Sequence, residues 1–187
     1  MNYLGPTVFE LGESEALRRA TAFFKPGQHT VVGSGDDAAV VSSNGRYVVT
    51  TDTMVENRDF RTDFSSGFDL GYKAVGSNLA DVAAMGAKPT ALVVALVVSE
   101  TTTQAWLEDF ARGLQAGIDE LSPGAEIVGG DLARGNELVI AVTAHGELTS
   151  DPVLRTGAKP GDLLALAGTL GRAACGLDLL LSPDETL

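Results

Sequence analysis

The sequence predicts a mixed α+β (α/β) fold in which a mostly buried β-sheet is flanked by helices. Three observations lead to this fold class. Apolar residues make up 44% of the 187 positions, which is enough for a buried core. Segments with strand-like and helix-like spacing are mixed along the chain rather than strictly alternating. Glycine occurs 22 times, which indicates tight turns and close approach of the backbone to a neighbour.

The elements of the first half follow from apolar spacing and from turn residues. Ser14 caps the first expected helix, which ends at Pro26-Gly27. Asn44-Gly45 is a hairpin signal, and Gly86 stops an alanine-rich helix. The expected elements are a helix over 14–24, a strand at 31–32, a short apolar run at 38–41, a strand over 47–51 and a helix over 69–85.

The second half continues the mixed pattern and then stops shortly after a new helix begins. The expected elements are a strand over 91–98, a helix over 103–121, strands over 126–128, 138–145 and 163–167, and a helix over 171–181. We therefore expect one domain over residues 1–150 and the beginning of a truncated second α/β domain over 151–187.

Composition excludes several classes of protein. The formal net charge is −12 and no basic cluster occurs, so a nucleic-acid binder is not expected. Cys175 is the only cysteine, which excludes an internal disulfide and a multi-cysteine zinc site. No signal peptide is recognisable, and the longest apolar run, 91–98, is far shorter than the roughly 20 residues that span a bilayer. A cytoplasmic protein with no membrane partner is expected.

Aspartates occur at four places where apolar or glycine-rich segments end or are interrupted. They are Asp36-Asp37, Asp52, Asp81 and Asp131. Turn formation and capping explain any one of them, but four in one chain favour a shared cation site. Mg²⁺ prefers carboxylate oxygens combined with substrate phosphates, and no His/Cys cluster favours a softer metal.

Asp81 is the only charged residue between Ala74 and Ala87. A helix with so few charges is expected to be buried nearly all round. Lys73, Ser77 and Asp81 form one polar stripe at spacing i, i+4, i+8. Two alternatives remain open from these residues: a buried Lys73–Asp81 network, or a carboxylate directed into a metal–phosphate pocket.

Other candidate groups are weaker. Thr50-Thr51-Asp52 places hydroxyls and a carboxylate at a strand end, although threonine is also common in strands. The guanidinium of Arg155 can pair with a phosphate, although a lone loop arginine is more often a surface group. His29 and His145 are interpreted as structural. The P-loop motif, the protein-kinase signatures and the G-x-S-x-G elbow are absent.

Five segments together resemble thiamine-monophosphate kinase, in the superfamily of aminoimidazole ribonucleotide synthetase, and cover nearly the whole chain in order. They are GSGDDAA (33–39), TTD (50–52), the helical segment 72–87, GGDLARG (129–135) and RTGAKPGD (155–162). The helical segment with Asp81 and the GGD segment are the specific ones.

This resemblance implies an ATP-dependent kinase that phosphorylates thiamine monophosphate to thiamine diphosphate with several Mg²⁺ ions. It implies that residues 1–150 form an ATP- and magnesium-binding domain that dimerises through its sheet, giving a homodimer. By matching positions, Gly130 and Asp131 meet ATP and Arg155 meets its phosphates. The implied metal ligands are Asp37, Thr50, Thr51, Asp52, Asp81 and Asp131. No side-chain nucleophile is assigned, because phosphoryl transfer depends on positioning and charge neutralisation.

The chain departs from the family pattern in two ways. The family often has histidine near the substrate, and Asp59 occupies that place here, so Asp59 is the expected substrate contact. Family members also run well past residue 187. Two alternatives to the kinase stay open. One is a catalytically incomplete nucleotide-binding and dimerisation fragment, and the other is a hydrogenase-maturation-type relative that uses ATP.

Overall fold

The structure is a computed structural model that describes residues 3–35 and 38–182. The chain divides into two compact units, Met1–Val153 and Leu154–Leu187. The elements in chain order are α1 (Val8–Leu11), α2 (Glu13–Thr21), β1 (Thr30–Val32), β2 (Val40–Val41), β3 (Tyr47–Val55), α3 (Gly67–Ala84), β4 (Lys88–Val98), α4 (Gln104–Leu121), β5 (Glu126–Arg134), β6 (Val139–Glu147) and α5 (Arg172–Leu181). The mixed α+β class is confirmed.

The first unit is built on a four-stranded sheet with the order β3-β6-β4-β5. Strand β6 pairs antiparallel with β3 and β4, whereas β4 and β5 are parallel. A parallel pair needs a crossover connection, and α4 supplies it between β4 and β5. The sheet edges are therefore β3 on one side and β5 on the other.

Helices α3 and α4 pack against each other and cover one face of the sheet, where the core lies. The helices approach closely because glycines face backbone across the contact. A Cβ at Gly71 would lie 2.2 Å from the carbonyl oxygen of Phe110, and one at Gly113 would lie 2.1 Å from that of Phe68. Helix α3 begins with a capping box in which Ser66 and Asp69 satisfy each other's backbone amides.

Among the described residues of the first unit, no helix covers the other face of the sheet, and we call it the open face. Val49 of β3 is 55% exposed there. Strand alternation and register place these residues on it: Val49, Thr51, Thr53, Thr143, His145, Ala95 and Asp131.

Strand β5 differs most from the expectation. The predicted strand ended at Val128, with the glycine–aspartate segment following as a turn, but β5 continues to Arg134. The cause is tertiary. Strand β4 pairs with β5 as far as Val98, so sheet pairing holds Gly129 and Gly130 in a strand conformation. The register shifts between Leu92 and Val93 of β4, opposite Val128.

The second unit contains α5, which follows Gly171 in the left-handed conformation at φ 88°. The expected strand over 163–167 is wrong, because the described chain forms no strand there. An extended apolar segment becomes a strand only when a neighbouring strand pairs with its backbone. The leucines between residues 154 and 182 are exposed, among them Leu163 and Leu164.

Candidate functional site

The side chain of Thr50 meets that of Asp81 where strand β3 passes the C-terminal half of helix α3. Thr50 Oγ1 donates to Asp81 Oδ2 at 3.5 Å. Thr50 is half-buried, and Asp81 is exposed near the end of its helix. A hydroxyl and a carboxylate oxygen, 31 residues apart in sequence, are therefore brought together at the surface.

Asp81 does not lie in a buried ion-pair network. The expectation that α3 is buried nearly all round is wrong, because Lys73 and Asp81 are both exposed. The ammonium of Lys73 instead donates to the carbonyl oxygen of Asp59 at 2.8 Å. The outer side of α3 carries few charged residues because short alanine side chains, such as Ala80 and Ala83, occupy it.

Asp52 and Thr51 continue the site along β3 on alternate faces. Asp52 shares the helix-covered face with Thr50, and its Oδ1 accepts from the amide of Thr53 at 2.9 Å. Thr51 projects to the open face, where its hydroxyl donates to the carbonyl of Val142. Thr50 and Asp52 therefore lie on the same face as Asp81, and Thr51 does not.

Gly130 and Asp131 lie on the other edge strand, β5. Gly130 pairs with Val94, and an added Cβ would lie 2.0 Å from the Val94 carbonyl oxygen, so only glycine fits that position. No atom of residues 3–35 and 38–182 lies within 4 Å of the Cβ position of Gly129, so this part of the chain leaves space for a ligand there. Asp131 projects to the open face and is exposed.

Within one chain, the expected ligands do not form a single cluster. Three strand spacings separate β3 from β5, a distance of about 14 Å, and Asp131 faces the opposite side of the sheet from Asp52 and Asp81. Among residues 3–35 and 38–182, no three His, Cys, Asp or Glu side chains come together to hold a metal ion. Asp37 lies outside the described residues, so its assignment stays a prediction.

A cavity of about 980 Å³ adjoins the β5 side of the site. Its wall includes Gly130 and Asp131 together with Gly33 and Gly35 from the predicted glycine–aspartate loop. The volume is within the range of pockets that bind small ligands. Helices α2 and α4 add apolar side chains such as Leu17 and Leu114. The arrangement joins an apolar recess to a glycine-rich, acidic rim.

His145 also lines this cavity, although its sequence context predicts only a structural role. Burial lowers the pKa of its imidazole below the ordinary value of 6.5. Its spacing could have indicated this position from the sequence. His145 lies two residues after Thr143 on β6, and strand alternation puts both side chains on the open face. The cavity-lining residues of α2 and α4 could not be identified from the sequence, because their apolar spacing is the same as that of any core helix.

Asp59 and Arg155 are placed differently from the aspartates above. Asp59 Oδ2 accepts from the amide of Val55 at 2.8 Å, so part of this carboxylate closes the turn after β3. Arg155 is an exposed residue of the second unit. Both assignments stay predictions.

The residues present fit magnesium by chemistry. Thr50 and Asp81 present two oxygens in contact, and Asp52 lies on the same face. Magnesium takes oxygen ligands and keeps several waters, so a partial protein ligand set completed by phosphate oxygens is its usual site. In the described chain, no ion pair involves Asp52, Asp81 or Asp131, and their charges are therefore available to a cation.

Known proteins similar to this chain are thiamine-monophosphate kinases. The enzyme of Corynebacterium glutamicum is 44% identical over 97% of this chain and 55% of its own length. The structure of AaThiL complexed with AMPPCP and TMP has a TM-score of 0.69 at 28% identity, covering 99% of this chain and 57% of that one. The chain thus spans about half the length of the relatives it matches.

A hydrogenase maturation protein, HypE in complex with ATP, is less similar. Its TM-score is 0.58 at 25% identity, over 78% of this chain and 41% of that one. The predicted resemblance to thiamine-monophosphate kinases is confirmed, and the hydrogenase-maturation alternative fits less well. Residues 35–148 match the family described as AIR synthase related protein, N-terminal domain. Because that match covers more than half of the sequence, the chain belongs to the AIR synthase related family.

Proposed function

We propose that this chain binds MgATP and is the N-terminal part of a kinase that transfers the γ-phosphoryl group of ATP to thiamine monophosphate, giving thiamine diphosphate and ADP. The observation that carries the proposal is the cavity of about 980 Å³, whose wall joins the glycine loop at 33–35 to Gly130 and Asp131. Relatives named for this reaction, and a relative bound to AMPPCP and TMP, support the choice of substrates.

The nucleotide is held by residues of the cavity wall. Gly129 leaves open space at its Cβ position, so phosphates can approach the strand backbone there. The apolar recess between α2 and α4 suits the base, because burial of its flat faces removes apolar surface from water. Arg155 is assigned to the phosphates, where its planar fork can pair with two oxygens.

The proposed magnesium ligands are the oxygens of Asp37, Thr50, Thr51, Asp52, Asp81 and Asp131. When bound, Mg²⁺ neutralises charge on the phosphate oxygens. Donor and acceptor are both phosphates and repel each other, so the protein must hold them in line and exclude competing water. Thr50 and Asp81 contribute by holding the middle of β3 against the last turn of α3, and no side-chain nucleophile is required.

Asp59 is the proposed substrate contact from the turn after β3. Its Oδ2 is bonded to the Val55 amide, which leaves Oδ1 as the oxygen directed to the acceptor. A carboxylate in this place suits the positively charged thiazolium ring of thiamine monophosphate by charge.

A homodimer formed through the open face completes the proposed site. The open face exposes apolar side chains such as Val49, 55% exposed, which favours its burial against another sheet. A two-fold pairing that places β3 of one protomer beside β5 of its partner brings Asp131 near the Thr51–Asp52 segment. The second copy would then close the strand-to-strand separation of about 14 Å, and Asp52 and Asp81 would approach the partner's Asp131 from the exposed edge of β3.

Residues 1–150 are proposed as the nucleotide-binding and dimerisation domain, and residues 151–187 as the start of the second domain. We place the reaction in the cytoplasm. In the described chain, none of the helices has the length and apolarity needed to cross a bilayer.

The test is formation of thiamine diphosphate from ATP and thiamine monophosphate by the purified chain, with Asp81→Asn as the matched variant. Turnover by the wild type that falls at least tenfold in the variant supports the kinase. Equal turnover in the two proteins rejects the role of Asp81. Because the chain spans about half of its relatives, the second candidate is a nucleotide-binding fragment without turnover. MgATP binding in a calorimetric titration without product formation identifies that second case.

A further inference from the structure

The root of the glycine-rich loop is fixed by a carboxylate at the start of β5. Glu126 Oε2 accepts from the amide of Gly27 at 2.6 Å. A Cβ at Gly27 would lie 2.6 Å from the Cβ of Glu126, so the two backbones meet closely. The adjacent amide of Gln28 donates to the carbonyl of Gly124 at 3.0 Å. The segment that leads into the loop is thus attached to the residues that begin β5.

The same carboxylate reaches the loop itself. A Cβ at Gly33 would lie 3.4 Å from Glu126 Oε1. Gly33 lines the cavity, and so do Gly129, Gly130 and Asp131, which follow Glu126 on the same strand. One side chain therefore links the two glycine-rich walls of the cavity.

The hairpin that follows these contacts is attached at its other root by the amide of Asn44, which donates to Glu147 Oε1 at 2.6 Å. Strands β1 and β2 form a two-stranded sheet of their own, and its side chains are largely exposed, with Val31 at 67%. The hairpin is closed at its base where the amide of Ser42 donates to the His29 carbonyl at 2.8 Å. A two-stranded hairpin is marginally stable alone, so its position depends on the contacts at its root.

We propose that Glu126 is a positioning residue for nucleotide binding: it holds the glycine loop of 33–35 at a fixed distance from Gly129–Asp131. This inference rests on the proposed function for its ligand and on the Glu126–Gly27 geometry for its mechanism. Glu126 acts through the loop and makes no direct contact with nucleotide. When the anchor is lost, the binding-competent position of the loop becomes a minor state and the apparent affinity falls in proportion.

The variants are Glu126→Ala, Glu126→Gln and, as a matched control, Glu10→Ala. Glu10 Oε2 accepts from the amide of Thr7 at 2.7 Å, which is the same kind of bond at the start of α1, outside the cavity wall. Glu126→Gln keeps an acceptor for Gly27. Gly27→Ala keeps the carboxylate of Glu126 but displaces it from the amide. This variant is used in place of Glu126→Ala if Glu126→Ala does not fold.

Two measurements on the full chain test the inference: amide hydrogen exchange over residues 27–43 without nucleotide, and calorimetric titration with MgATP. Glu126→Ala is expected to speed exchange in this segment and to raise the Kd for MgATP about tenfold, as expected for loss of a charge-assisted hydrogen bond. Glu126→Gln should stay within about threefold of wild type, and Glu10→Ala should equal the wild type in both measurements.

The outcomes separate this inference from the proposed function. Unchanged exchange in Glu126→Ala overturns the anchor, and faster exchange with unchanged MgATP affinity overturns the positioning role. If the wild type itself binds no MgATP, the proposed function fails, while the exchange data still decide whether Glu126 holds the loop.

Discussion

Thr50 Oγ1 lies 3.5 Å from Asp81 Oδ2, joining the middle of an edge strand to the last turn of a helix. The contact forms because α3 packs along the helix-covered face of β3 and β6, as its close fit to Gly146 shows. A Cβ at Gly146 would lie 2.3 Å from Cγ1 of Val82, the residue next to Asp81. The carboxylate is therefore placed by core packing, although it is itself exposed.

The packing of α3 on α4 gives a stability prediction. Gly71→Ala should destabilise the fold by about 2–3 kcal/mol, because its Cβ would meet the backbone of Phe110 at 2.2 Å and two helices would have to separate. Gly76→Ala is the control in the same helix, since the nearest described atom to its Cβ would be Leu121 Cδ1 at 3.7 Å. It should be neutral or stabilising by up to about 1 kcal/mol. Urea unfolding of both variants checks this, and equal destabilisation would contradict the described packing.

His145 gives a prediction for pH. Burial lowers the pKa of His145 below 6.5, so the folded chain binds this proton less readily than the unfolded chain. The contribution to stability is fully present above the unfolded pKa and is lost as the pH falls through 6.5 towards the lower folded pKa. Between about pH 7.5 and 5.5, the wild type should lose more thermal stability than His145→Gln. Parallel curves for the two proteins would show that His145 is not desolvated.

The separation of Asp52 from Asp131 gives a prediction about assembly. If the ligands combine across two protomers, Asp52→Asn and Asp131→Asn should each bind MgATP weakly. After subunit exchange, a mixture of the two variants contains mixed dimers. In each mixed dimer, up to one of the two sites should bind MgATP tightly. The readout is the stoichiometry of MgATP binding. Recovery no greater than the average of the separate variants would show that each site is built within one chain.

Local sequence was enough to predict most of the fold. The long helices and the buried strands were recognisable because their apolar spacing and stop signals agree with the tertiary structure. Strand β5 was predicted too short because pairing with β4 overrides the low strand preference of Gly129 and Gly130. The strand over 163–167 was predicted from apolar residues after a turn at 159–162, and without a paired neighbour in the described chain it does not form.

The site was predictable in its residue types and only partly in its geometry. Thr50 and Asp81 were both expected as ligands, and they are in contact. The opposite faces of Asp52 and Asp131 could not be read from the sequence, because they depend on the strand order β3-β6-β4-β5. The role of Glu126 was hidden for the same reason, since its partner Gly27 lies 99 residues away.

The most direct measurement is a calorimetric titration of the wild type and Asp81→Asn with ATP, in excess Mg²⁺ and again in excess EDTA. We predict that the wild type binds ATP only when Mg²⁺ is present, and that Asp81→Asn binds at least tenfold more weakly while keeping its fold. ATP binding of equal strength in both proteins, or binding by the wild type that is indifferent to Mg²⁺, would contradict the claim that these carboxylates hold the metal against the nucleotide.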